Sequence, residues 1–178
     1  DTATITAEVR TGYEFDGWYN DDTKVSENTE AVYTLNEYTV LTAKSIPVNY
    51  NITYDLDGGE LPDGVSNPST YTIADDAIVL NNPTKEGYIF LGWTGSNGDE
   101  PETTVTIPAG SMGEKTFTAN WKVMDVNVIY DANGGKFDDD ALTNTVKYLY
   151  GEVKEGEYKE PTRDGYEFDG WYTDANCY

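Results

Sequence analysis

The chain has 178 residues, with 33 acidic and 11 basic side chains, no histidine and one cysteine, for a formal charge of −22. Without histidine there is no Ser-His-Asp or Cys-His catalysis and no imidazole metal site, and one cysteine excludes an internal disulfide framework or CxxC zinc ligation. Eleven cations scattered through acidic sequence exclude the phosphate clamp of a nucleic-acid binder, and an anionic membrane surface would repel such a chain.

Aliphatic side chains are scarce, and a core must be built from rings: 15 Tyr, 5 Phe and 4 Trp. The alternation of apolar and polar residues predicts strands almost throughout. The first is Ala3-Thr4-Ile5-Thr6-Ala7-Glu8-Val9. The heptapeptide Gly12-Tyr13-Glu14-Phe15-Asp16-Gly17-Trp18 follows. In an extended strand Tyr13 and Phe15 share a face, and strict alternation sends Trp18 to the other. A bulge at Gly17 adds one residue and returns Trp18 to the Tyr-Phe side, so three rings enter one small core. Thr39-Val40-Leu41-Thr42-Ala43-Lys44 closes this first stretch as a strand.

Val48 to Tyr54 alternates strictly, with Val48, Tyr50, Ile52 and Tyr54 on one face. It runs into Asp57-Gly58-Gly59, where glycine supplies positive φ for a tight reversal, and Ser69 to Ile73 reads as the returning strand. Pro83 marks the loop into a second aromatic heptapeptide, Gly87-Tyr88-Ile89-Phe90-Leu91-Gly92-Trp93. Here the opposite face, Ile89 and Leu91, is apolar and is expected to be covered. Residues 108–113 offer one short helical turn at most, and Thr116-Phe117-Thr118-Ala119-Asn120-Trp121-Lys122 reads as a closing strand. The pattern then starts again: Val126, Val128 and Tyr130 on one strand face, Asn133-Gly134-Gly135 as the turn, Thr145 to Tyr150 as the return, and Pro161 before Gly165-Tyr166-Glu167-Phe168-Asp169-Gly170-Trp171.

The chain is therefore a repeat. The aromatic motifs are spaced by 75 and 78 residues and the Gly-Gly motifs by 76. The division is 1–47, 48–122 and 123–178, with only the middle unit complete. The first lacks the Gly-Gly half. The third stops after its aromatic motif, which predicts an unpaired edge able to take a strand from a second chain. The piece reads as the interior of a mature chain, with any signal or anchor outside it.

In this order the motifs resemble the internalin B-type B-repeat, also called the Listeria–Bacteroides repeat. The resemblance rests on Tyr54-Asp55-Leu56-Asp57-Gly58-Gly59, on Pro83-Thr84-Lys85-Glu86-Gly87-Tyr88 leading to Trp93, and on the closing Thr118-Ala119-Asn120-Trp121. The third unit is similar through Pro161-Thr162-Arg163-Asp164-Gly165-Tyr166, and the first resembles the divergent form of the repeat. The resemblance implies a mainly β fold of small β-grasp-like units in an elongated tandem array on a secreted bacterial cell-surface protein. It implies no catalytic residues and no cofactor, and it names no ligand-binding residues.

Asp55-x-Asp57-Gly58-Gly59-Glu60 has the outline of a calcium loop, but position five is Gly59 and position twelve is Ser66. An Asx-Gly-Gly turn accounts for it, and no metal is expected. The runs Asp21-Asp22, Asp75-Asp76 and Asp138-Asp139-Asp140 read as solvated loops. Carboxylates are too plentiful for any pair to indicate glycoside hydrolysis, which needs a cleft and one raised pKa. Trp18, Trp93 and Trp171 recur at one motif position, which favours a core over a sugar platform. Tyr19 and Tyr172 are surface contact candidates, and Cys177 has no partner in the sequence. The expected function is a non-catalytic stalk with a possible part in adhesion. The alternative is a module binding a host protein or glycan through loops or sheet edges.

Overall fold

A computed structural model describes residues 1–34, 38–152 and 158–173, and among them every regular element is a strand. The fold is mainly β, a tandem series of small sheets. Compact packing groups residues 1–84 with 90–120, and residues 85–89 with 121–178. Cys177 lies outside the described residues.

In the first repeat, β1 (Thr2–Thr6) pairs antiparallel with β4 (Glu30–Thr34), Thr2 opposite Thr34. The aromatic motif forms β2 (Tyr13–Asn20), flanked by β3 (Thr23–Ser26) and β5 (Leu41–Pro47). Asp21 and Asp22 make the two-residue link from β2 to β3, and Asp21 takes φ +50°, a left-handed conformation that Asp tolerates better than most residues.

The middle repeat is the fullest. Its strands are β6 (Tyr50–Asp55), β7 (Thr70–Tyr71), β8 (Ile78–Val79), β9 (Tyr88–Gly95), β10 (Gly98–Glu102), β11 (Thr106–Ile107) and β12 (Lys115–Val123). Five of them form a sheet in the order β10-β9-β12-β6-β7, and β8 pairs with β11. The closing strand β12 lies between β9 and β6 and runs parallel to β6, with Lys115 opposite Ile52 and Phe117 opposite Tyr54. One face of this sheet carries the core: Ile52, Tyr71, Trp93, Phe117 and Ala119, joined by Leu80, Val105 and Ile107. In the third repeat β13 (Asp125–Asp131) and β14 (Thr143–Leu149) form an antiparallel pair over their whole length, and Ala132 and Phe137 are buried.

Three expectations need correction. Ile89 and Leu91 are not covered: they are 48% and 43% exposed. They alternate along β9 with Tyr88 and Phe90, and on β12 Thr116 and Thr118, which alternate with buried Phe117 and Ala119, are exposed as well. The Gly-Gly turns are tight, but they do not close β6 directly on β7. The chain leaves the turn to bridge Glu60 with Thr84, and only then returns at Thr70. Lys136 and Thr162 repeat that bridge. Val126 and Val128, on one strand face with Tyr130, are each 38% exposed, and β13 pairs only with β14 among the described residues. Finally, residues 167–171 do not form a strand, unlike the two earlier aromatic motifs. Residues 108–113 form a turn without helix.

Candidate functional site

Each aromatic motif opens on the same turn. The N–H of Tyr13 donates to the Arg10 carbonyl at 3.0 Å, and Tyr88 and Tyr166 donate to Lys85 and Arg163, each at 3.1 Å. Gly12, Gly87 and Gly165 occupy its third position at φ +81°, +75° and +80°, where a Cβ is disfavoured. The turn folds the side chain of its first residue over the ring of its fourth. The Arg10 guanidinium sits 4.3 Å from the Tyr13 ring centre, Lys85 Nζ 4.4 Å from Tyr88, and the Arg163 guanidinium 4.1 Å from Tyr166. The motif tyrosine is thus capped by a cation, and Tyr166 is 66% exposed. This corrects the expectation of three rings in one core.

The next step is the bulge. Phe15 stands opposite Ser45 while Gly17 stands opposite Lys44, so Asp16 is the extra residue in the β2–β5 ladder. Gly17, Gly92 and Gly170 take φ +155°, +136° and +145°. In each copy the motif Trp meets the motif Phe: Phe15–Trp18 at 6.0 Å, Phe90–Trp93 at 5.6 Å and Phe168–Trp171 at 5.2 Å between ring centres, all edge-to-face. Trp93 is fully buried, with Tyr54 at 5.9 Å and Phe117 at 6.4 Å, and its indole N–H donates to Asn82 Oδ1 at 3.0 Å. Trp18 donates to the Thr29 carbonyl at 3.4 Å. Around Trp171 the rings are Tyr130, Phe137 and Tyr158, and its buried indole nitrogen has no acceptor among the described residues. At the sequence position of Asn82, two residues before the bridging threonine, the third repeat has Glu160. Burial of Trp18 and Trp93 leaves neither as a sugar-stacking platform.

The Asx-Gly-Gly motifs are type I′ turns. Asp57 and Gly58 take φ +46° and +75°, and Asn133 and Gly134 take +45° and +84°. Gly59 N–H donates to the Leu56 carbonyl and Gly135 N–H to Ala132, both at 2.9 Å. The acids ahead of the turns are spent on them: Asp55 Oδ1 accepts from Asp57 N–H at 3.0 Å, and Asp131 Oδ1 from Asn133 N–H at 2.8 Å. Asp75 accepts from Thr72 N–H, Asp139 from Ala141 N–H, and Asp140 pairs with Lys136. Among the described residues no group of three or more acidic or thiol side chains is placed to hold a metal.

The glycine turns have a second use. The Gly12 carbonyl accepts the N–H of Val48, and the Gly87 carbonyl that of Met124, each at 2.9 Å. Val48 and Met124 stand at the start of the next repeat, 76 residues apart. Ile73 packs where a Cβ on Gly12 would project, at 2.8 Å, and a Cβ on Gly87 would overlap the Tyr150 ring. Tyr150 also donates its hydroxyl to Glu86 Oε1 at 2.9 Å, and this bond holds its ionisation above the ordinary tyrosine range. So one copy's glycine turn seats a side chain from just past the next copy's returning strand, twice over.

Tyr19 and Tyr172 keep their hydroxyls on motif acids, Tyr19 on Asp16 and Tyr172 on Asp169 at 2.7 Å. Lys24 also reaches Asp16 at 3.0 Å, and Lys44 Nζ lies 4.1 Å from the Tyr19 ring centre. The Tyr19 hydrogen bond, and then that of Lys24, hold the Asp16 carboxyl below its usual range. Sequence reasoning missed the cations at Arg10, Lys85 and Arg163, although a basic residue three before each motif Tyr was there to be read. It also missed Asn82 and the seats at Gly12 and Gly87, which have no local signal.

Residues 50–120 and 127–178 match the Listeria-Bacteroides repeat domain, and residues 1–45 match the Divergent InlB B-repeat domain. A protein of Evansella cellulosilytica bearing the name "Putative membrane protein" is 30% identical over 167 residues, 93% of this chain and 24% of that protein. Internalin H of Listeria monocytogenes is 26% identical over 152 residues, 79% of this chain and 25% of its own length. The chain therefore spans about a quarter of the length of these curated relatives. No solved structure matches it significantly. Shared motifs, shared turn geometry and these matches over most of its length place the chain in the Listeria–Bacteroides repeat family.

Proposed function

We propose that the chain is a non-catalytic repeat segment of a secreted bacterial cell-surface protein, acting as a spacer that carries other parts of that protein away from the cell wall. The observation that carries this reading is the repeated seat: Ile73 on Gly12 and Tyr150 on Gly87, each with a backbone bond from the start of the next copy. A chain whose copies engage their immediate successors in the same way twice suits a solenoid-like spacer. The surface location draws support from the likeness to internalin H. The acidic charge of −22 favours solubility and discourages self-association. Small-angle scattering of the purified chain is expected to give an elongated particle. A single compact globule overturns the spacer.

A second reading is adhesion to a host protein or glycan. It is favoured by β10 and β7, which end the five-stranded sheet with outer edges that no described strand pairs. A saturable hit on a panel of host-cell surfaces, matrix proteins and glycans, at varied salt, supports it. A blank panel leaves the spacer.

A further inference from the structure

The middle repeat has its first and last strands side by side. β12 runs parallel to β6, and Lys115–Thr118 keep step with Ile52–Asp55 without a break. Load reaches this pair directly, because only Val48 and Asn49 separate β5 from β6 and only Met124 separates β12 from β13. Tension along the chain therefore pulls β6 from its N-terminal end and β12 from its C-terminal end. In a parallel pair those pulls oppose each other along the strands, so the evenly spaced bonds between them resist together, in shear. The core locks the same register. Phe117 and Ala119 are buried, and Phe117 stacks on Tyr54 at 6.0 Å. A slip of one residue would turn both side chains to the exposed face, and a slip of two would carry Phe117 off its partner ring.

The first repeat is built otherwise. Its terminal strands, β1 and β5, lie in different sheets. β5 meets β2 antiparallel with Pro47 opposite Tyr13, so the pulled end of β5 lies beside the start of β2. The bonds of that ladder come under load one after another, beginning with the Val48 N–H on the Gly12 carbonyl. We propose that the middle repeat is a load-bearing clamp and that the first repeat yields before it, giving the chain a compliant section next to a stiff one. Its service in the cell rests on the spacer reading. The clamp itself is a property of strand order, and the scattering that judges the spacer does not judge it.

The test is single-molecule force spectroscopy on the full 178-residue chain, held by its ends between handle domains. At about 3.3–3.6 Å per residue, unfolding of residues 1–47 releases about 15 nm and of residues 48–123 about 25 nm. The longer release is expected at a force at least about two-fold above the shorter one. A second arm changes only the direction of pull. Asn49, Glu114 and Lys122 are exposed, so handles are attached through Asn49→Cys with Lys122→Cys, or through Asn49→Cys with Glu114→Cys, with Cys177→Ser in both. The first pair shears β6 against β12. The second pulls on the N-terminal ends of both strands and opens the ladder from one side. Rupture is expected at a force at least about two-fold higher for the first pair, at the same loading rate. Equal forces in the two directions overturn the proposal, as does a longer release at or below the force of the shorter one. A middle repeat that extends in small steps, with no single long release, overturns it too.

Discussion

Replacing Gly92 and Gly170 by alanine, one at a time, separates two causes that usually travel together. Both glycines occupy the same motif position, at φ +136° and +145°. Either alanine carries the backbone strain of that region, about 1–3 kcal/mol, less about 0.5–1 kcal/mol from the stiffer unfolded chain. Only Gly92 has something in the way. A Cβ there would stand 2.5 Å from the backbone N of Glu102, 2.6 Å from its carbonyl carbon and 2.8 Å from its oxygen. Backbone in a sheet cannot rotate aside as a side chain can, so overpacking adds about 1–3 kcal/mol. Gly170 has nothing within 4 Å of its Cβ position. Gly92→Ala is therefore expected to cost about 3 kcal/mol and Gly170→Ala about 1 kcal/mol. The assay is hydrogen exchange under native conditions, read at β9 and β12 for the first variant and at β13 and β14 for the second. A loss at Gly92 no larger than that at Gly170 refutes the reasoning that contact with β10, rather than φ alone, reserves this position for glycine.

Trp93→Ala is expected to cost about 3–5 kcal/mol in chemical denaturation, because the ring is fully buried among Phe90, Tyr54 and Phe117. Trp93→Phe should cost less while leaving Asn82 Oδ1 without the indole donor. Burial pushes the Tyr54 hydroxyl up to about 12. A pKa raised on folding gives stability that is complete below the unfolded value near 10 and is lost as pH rises toward 12, so denaturation midpoints should fall over that window and Tyr54→Phe should flatten the fall. Asp16 is shifted the other way, chiefly by the Tyr19 hydrogen bond and then by Lys24, so its contribution is present above the ordinary Asp pKa and fades as pH drops through the lowered one. Asp16→Asn should remove that acid-limb slope, measured as thermal midpoint against pH.

What could be read in advance was whatever the chain settles within a few residues. The bulge at Gly17 follows from the spacing of Phe15 and Trp18, and the left-handed turn at Asp57-Gly58 from Asx-Gly chemistry. Pairing over longer distances was not legible. Glu60 meets Thr84 across 24 residues, and no periodicity in the loop announces it. Ile89 and Leu91 misled because an apolar pair reads as buried, whereas burial depends on whether another layer exists to cover that face. The motif tyrosines misled for a different reason. Alternation placed them on the correct face, but it could not show that Arg10, Lys85 and Arg163 fold back over their rings.

The seats at Gly12 and Gly87 make thermodynamic demands on the string. If the segment holding Tyr150 melts, Gly87 loses its cover and its carbonyl loses Met124, so the preceding turn is loosened by an event in its successor. Ile73, Val48 and Gly12 stand in the same relation one copy earlier. Influence of this kind passes from a link to the one before it and decays along the series, so the string should soften stepwise from a breach instead of failing all at once.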